Sequence, residues 1–205
     1  MRLLVSVLLL SVFSLSVMAA EELQVVQIYT DNQLLDLIKE NKHLSQVVID
    51  ECQLNQDIEA RAATMAMPSY QFLWGDMLAY GVCVKKDIKL GLYYMQEAAN
   101  QGLPEALEQL GRYYHIGKFF QPDLDKAITY LREAAVLNNL NAQLRLGEIY
   151  SKGQGSPLDY PELYALLHQA VTDNKDTHKK ISQILTSLET KMPPHVIAAA
   201  KKMKF

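Results

Sequence analysis

The residues that could assemble a reaction centre in this chain are five histidines, two cysteines, a glycine pair and scattered carboxylates. His43, His115, His168, His178 and His195 stand far apart. No H-E-x-x-H places two of them one helical turn apart, as a zinc hydrolase needs. Cys52 and Cys83 are isolated sulfurs and lack the paired C-x-x-C spacing that holds structural zinc. Gly153-Gln154-Gly155 is too short for a phosphate-cradling G-x-G-x-x-G and reads as a turn. No S-x-x-K or G-x-S-x-G supplies an activated serine. Neither catalysis nor a metal or cofactor is written into these spacings, so an enzyme would need distant residues to converge.

What the two cysteines can do depends on the compartment, and the first twenty residues bear on that. Arg2 precedes an almost unbroken apolar run over residues 3–17, which ends at the small residues Ala19 and Ala20. Charged start, short apolar run and small-residue end are the parts of a secretory signal peptide, residues 1–19, cleaved after Ala19 or Ala20. The other reading is an uncleaved anchor, but the run is short of the roughly 20 residues a bilayer needs. In an oxidising compartment such as the periplasm an even cysteine pair is most simply one disulfide, Cys52–Cys83. The alternatives are two buried thiols or an intermolecular bridge. Closing a loop of that length stabilises by about 3–4 kcal/mol in the chain-entropy model.

Composition narrows the partners. Net charge is −3 for 205 residues. The lysines are dispersed, with a small cluster at Lys201, Lys202 and Lys204. No basic stripe of the kind a phosphate backbone demands is present, which argues against nucleic acid.

The elements that must position everything else repeat every 36 residues. Gly75, Gly111 and Gly147 keep that step, as do Gly81, Gly117 and Gly153, then Asp87, Asp123 and Asp159, then Ala98, Ala134 and Ala170. Ala106 and Ala142 follow it, with Leu110 and Leu146 opposite Trp74, and Tyr114 and Tyr150 opposite Leu78. Such periods mark stacked repeats. Within one unit a first helix is expected over about residues 106–115 and a second over about 123–137. Ala106, Leu110 and Tyr114 then share one face. Gly111 permits close helix approach, Gly117 ends the first helix in a left-handed turn, and the aspartate caps the second. A single unit cannot bury its apolar face, so the units stack.

Helices are also expected on both sides. Residues 30–44 read as an amphipathic helix capped at Thr30 or Asp31, with Leu34, Leu37 and Ile38 inward. Apolar residues continue over 45–63, and Pro68 marks the end of this flank. A bridge from Cys52 to Cys83 would staple it to the first repeat as the cap a solenoid requires. After the repeats, residues 174–190 form a further helix. Pro193-Pro194 then breaks the chain, and 195–205 make a last short helix, either an end cap or a partner-binding tail.

Leu110-Gly111-x-x-Tyr114-x-x-Gly117, then Asp123-x-x-x-Ala127 and Glu133-Ala134-Ala135, resembles a Sel1-like repeat, a relative of the tetratricopeptide fold. The resemblance implies an all-α, right-handed α-solenoid of helix hairpins with helical caps at both ends. Its parts would be a signal over 1–19, an N-terminal cap over 20–68, repeats over 69–105, 106–141 and 142–173, and C-terminal capping helices over 174–205. It also implies a concave binding surface built by the first helices. Transferred by register, that surface comprises Phe72, Asp76, Ala79 and Tyr80, then Glu108, Arg112, His115 and Ile116, then Leu144, Glu148, Ser151 and Lys152. Arg112 would fork onto a carboxylate, and Phe72 and Tyr80 would be apolar anchors.

The cap sequence Cys-Gln-Leu-x-Gln-Asp-Ile-Glu-Ala-Arg-Ala (Cys52 to Ala62) and the ending Met-Pro-Pro-His-Val-Ile (Met192 to Ile197), joined to a signal and Sel1-like units, are similar to the MotX family. Members are periplasmic components of sodium-driven polar flagellar motors. Membership would imply a basal-body accessory ring built with a MotY-like protein, and recruitment or retention of stator units through their periplasmic part. No ion would pass through the chain, and no cofactor is implied. A generic periplasmic Sel1-like adaptor for envelope signalling or secretion would show no motility defect. A periplasmic enzyme would show a deep polar pocket.

Overall fold

The computed structural model describes residues 27–205. The expected signal peptide lies outside these residues. Eleven α-helices are found among the described residues, and no strand. Three hairpins stand at the centre: α4 (Pro68–Tyr80) with α5 (Ile88–Asn100), α6 (Pro104–Ile116) with α7 (Leu124–Val136), and α8 (Leu140–Ser151) with α9 (Tyr160–Gln169). Before them run α1 (Asp31–Lys39), α2 (His43–Ile49) and α3 (Asn55–Ala63). After them come α10 (Lys175–Glu189) and α11 (Pro194–Ala200). One continuous apolar core, from Tyr29 to Ala200, joins them in an all-helical solenoid.

Local chemistry sets most boundaries. Thr30 caps α1 in a capping box with Gln33. Asp87 and Asp123 each accept from the backbone N–H three residues on. Gly81 (φ 74°) and Gly117 (φ 71°) end α4 and α6 in the left-handed conformation. Proline starts α4 and α6 at their first turns, where its missing N–H costs nothing. The first helices consequently begin one or two residues ahead of 69 and 106, and Pro68 opens the repeats instead of closing the flank.

Several expectations are corrected. The helix foreseen over 30–44 stops at Lys39. Asn41 turns left-handed (φ 55°) while the Lys42 N–H reaches back to the Leu37 carbonyl, a Schellman ending that makes α2 a separate helix. Residues 45–63 are likewise broken, at Glu51 and Cys52, both with positive φ. Asp159 does not cap α9 by side chain; its carboxylate lies 3.2 Å from Arg132 on α7. The last helix ends at Ala200, and residues 201–205 are not helical.

Cys52 and Cys83 form a disulfide. It ties the turn between α2 and α3 to the loop between α4 and α5, and Asn55 Nδ2 donates to the Cys83 carbonyl beside it at 2.8 Å. At the other end the third unit departs from its siblings. A side chain added at Gly75 or Gly111 would meet the second helix of the same hairpin, at the Gly91 carbonyl (2.8 Å) or at Leu131 (2.7 Å). At Gly147 it would meet Ile184 of α10 at 2.5 Å. The cap helix, not α9, fills the third unit's glycine seat.

Candidate partner-binding site

The first helices α4, α6 and α8 line up along a groove of about 680 Å³. Its floor carries Glu108, Gln109 and Arg112 from α6. One wall is Leu144, Arg145 and Glu148 from α8 with Lys180 from α10. The other comes from the N-terminal cap, through Ile38, Lys39, Asn41 and His43, with Phe72 beneath them. The asparagines 138, 139 and 141 and Glu105 edge its mouth.

The cap wall changes the fate of the first repeat's expected face. α2 lies over α4, so Phe72 and Asp76 are 3% and 2% exposed, while Ala79 is buried against Gly91 of α5. His43 stands edge-on to the Phe72 ring at 5.3 Å, and its Nε2 is 2.8 Å from Asp76 Oδ2. Phe72 therefore shows little of itself to the groove and Asp76 is used internally, because the cap buries both. Tyr80 is also engaged: its hydroxyl is 3.0 Å from that of Tyr113, and its ring packs on Phe119 beneath the Lys118 ammonium. Leu144 is buried.

Farther along the array, the positions open. Glu108, Arg112, His115 and Glu148 are half-buried, and Ile116 and Lys152 are exposed. Glu108 pairs with Arg145 at 3.3 Å and Glu148 with Lys180 at 2.5 Å. Arg112 has no carboxylate partner among the described residues. Its Nη2 donates to Gln109 Oε1 at 2.6 Å, and its guanidinium lies 5.0 Å from the Tyr113 ring centre. Such a guanidinium keeps free donors toward the groove. Burial first, then the charges of Arg145 and Lys152, pull the His115 pKa below its ordinary value. Ser151 and Lys152 sit apart from this groove, in a recess of about 340 Å³ between α8 and α10.

Beneath the groove runs a buried polar network that the sequence did not reveal. Asp76 Oδ1 accepts from the Tyr113 hydroxyl at 3.2 Å and from Gln109 Nε2 at 3.4 Å, while Oδ2 faces His43. Burial and the Asp76 charge push the Tyr113 pKa far above its ordinary value, so its hydroxyl stays a donor. The network links cap, first repeat and second repeat through to Arg112. No residue period could have signalled it, since His43 lies outside the repeats and meets Asp76 across 33 positions. No serine or cysteine nucleophile adjoins the His43–Asp76 pair among its bonded partners.

The Sel1 repeat model matches residues 68–103, 104–139 and 140–171, the three hairpins in turn. A solved Sel1 repeat protein from Oxalobacter formigenes aligns with a TM-score of 0.52 at 25% identity, covering 62% of this chain and 96% of its own. The sodium-type polar flagellar protein MotX of Vibrio parahaemolyticus serotype O3:K6 (strain RIMD 2210633) is 50% identical over 195 residues, 95% of this chain and 92% of that protein. Fold and relative both speak for a structural and interaction role, not an enzymatic one. Repeats, cap and near full-length likeness lead to one assignment: the chain belongs to the MotX family of sodium-type polar flagellar proteins.

Proposed function

We propose that the chain works in the periplasm at the flagellar basal body, where it builds an accessory ring with a MotY-like protein and retains stator units around the rotor. The observation that carries this reading is the 50% identity to a sodium-type polar flagellar protein across 95% of the chain. A stator under torque must be held against sliding, and a stapled array with one continuous core suits a rigid strut. The groove along α6 and α8 is the surface offered to a partner, with Arg112 as its unpaired cation. Glu108 and Glu148 would tune that surface, and Lys152 and Ile116 would add exposed contacts outside the groove. No helix among the described residues is long and apolar enough to cross a membrane.

The test is deletion of the gene, with swimming scored together with flagella by microscopy. Intact but non-rotating flagella, restored by the wild-type chain, support a stator-holding role. Normal swimming overturns it and leaves an envelope adaptor with other partners.

A further inference from the structure

Charge is distributed very unevenly along the solenoid. Residues 27–67, the described part of the N-terminal cap, carry seven carboxylates against three basic groups, a net −4. Residues 174–205, the C-terminal cap, carry seven lysines against two carboxylates, a net +5. The whole chain is only −3, so the two caps carry opposite net charge.

The charges are available at the surface. In the N-terminal cap Glu51, Asp57 and Glu59 are exposed, and none has an ion-pair partner among the described residues. In the C-terminal cap Lys175, Lys179, Lys191, Lys202 and Lys204 are exposed and equally unpaired there; Lys180 and Lys201 are bound to Glu148 and Glu189. Each end also exposes apolar side chains. Val48 and Ile49 are 56% and 70% exposed on α2, and Val171 and Phe205 are 94% and 61% exposed beside and within the last cap. Terminal repeats of a solenoid normally turn a polar outer face to water. Here both ends combine apolar groups with unpaired charge of opposite sign.

We propose that the chain associates with further copies of itself head to tail, the basic C-terminal cap of one copy against the acidic N-terminal cap of the next. A single occupant then accounts for both ends, whereas an anionic membrane surface would account only for the basic one. Such a contact is heterologous, so it propagates into a row that closes only if its rotation returns on itself. The inference goes beyond the motor role and does not depend on it, because it is tested on the purified chain.

The experiment is sedimentation velocity over a range of concentrations, with two charge-reversed variants. One carries Lys175→Glu, Lys179→Glu, Lys202→Glu and Lys204→Glu; the other carries Glu51→Lys, Asp57→Lys and Glu59→Lys. All seven positions are exposed, and circular dichroism checks that helix content is kept. The wild-type sedimentation coefficient is expected to rise with concentration. Each variant alone should stay at the monomer value, and their equimolar mixture should recover association because the altered ends are again opposite. A monomeric wild type, variants that associate like wild type, or a mixture that stays monomeric each overturns the proposal. A monomeric wild type that sediments with phosphatidylglycerol vesicles but not with phosphatidylcholine vesicles assigns the basic end to a membrane surface instead.

Discussion

His43 Nε2 lies 2.8 Å from Asp76 Oδ2, and both side chains are 3% exposed. The pair joins a helix outside the repeats to the first helix inside them. With the Cys52–Cys83 disulfide, it holds the N-terminal cap on the first repeat beside the groove.

Removing one partner of this pair leaves a buried polar group without its hydrogen-bond partner. Asp76→Ala or His43→Ala is expected to lower folding stability by about 1–3 kcal/mol, read from urea unfolding. The double variant His43→Leu/Asp76→Leu should cost less than the sum of the two alanine variants, since neither member of the pair is left to face an apolar replacement. Additive losses would mean that the two groups do not act as a unit.

Cys52→Ser and Cys83→Ser should each lower stability by about 3–4 kcal/mol through the freed loop. Wild-type protein should lose a similar amount under reductant, while neither variant responds to it. Lower abundance of the protein in the cell and slower swimming are expected to accompany the loss. Equal abundance and swimming in both variants would contradict this.

Crowding at the third repeat gives a distinct prediction. Gly147→Ala forces a methyl group into Ile184 and should cost about 1–3 kcal/mol by overpacking. Ile184→Ala loses core packing on its own account, yet the two changes together should be less harmful than their sum. Strict additivity would place α10 elsewhere.

Arg112→Glu should weaken capture of a flagellar partner in a pull-down while leaving the melting temperature near wild type. Its free donors face the groove and its one internal bond is to Gln109. Unchanged retention would remove Arg112 from the partner surface.

His115 supplies a pH dependence. Its folded-state pKa is depressed, so the unfolded chain binds a proton first as pH falls. Stability contributed by neutral His115 is therefore present above the unfolded value of about 6.5 and is lost as pH drops through and below it. His115→Gln should flatten the slope of stability against pH in that window. A slope identical to wild type would show that His115 is not the responsible group.

The repeats were readable because each recurring residue has a local task. Gly117 ends a helix, Asp123 begins one, and Ala134 packs closely, so a 36-residue step exposed the array. The cysteine pairing is readable from parity: two cysteines allow one intramolecular bridge. The cap was not: Asn41 and Cys52 adopt left-handed turns that neither composition nor apolar spacing announces. The partner surface follows a repeat register, which ignores what lies outside the repeats and so does not announce that the cap covers Phe72 and Asp76. Asp159 kept its column but changed its task, pairing with Arg132 where its counterparts cap helices.

Ile184 in the seat at Gly147 bears on how such a chain can grow over evolutionary time. Tandem duplication lengthens a solenoid wherever one unit offers its successor a vacant complementary surface. A duplicated copy of the second hairpin inserted before the third would bring its own second helix to fill its glycine seat, as α7 does for α6. One added after residue 171 would have to evict α10 from α8 before it could dock. The cap therefore acts as a counter, fixing the unit number at its own boundary and leaving variation in length to the interior.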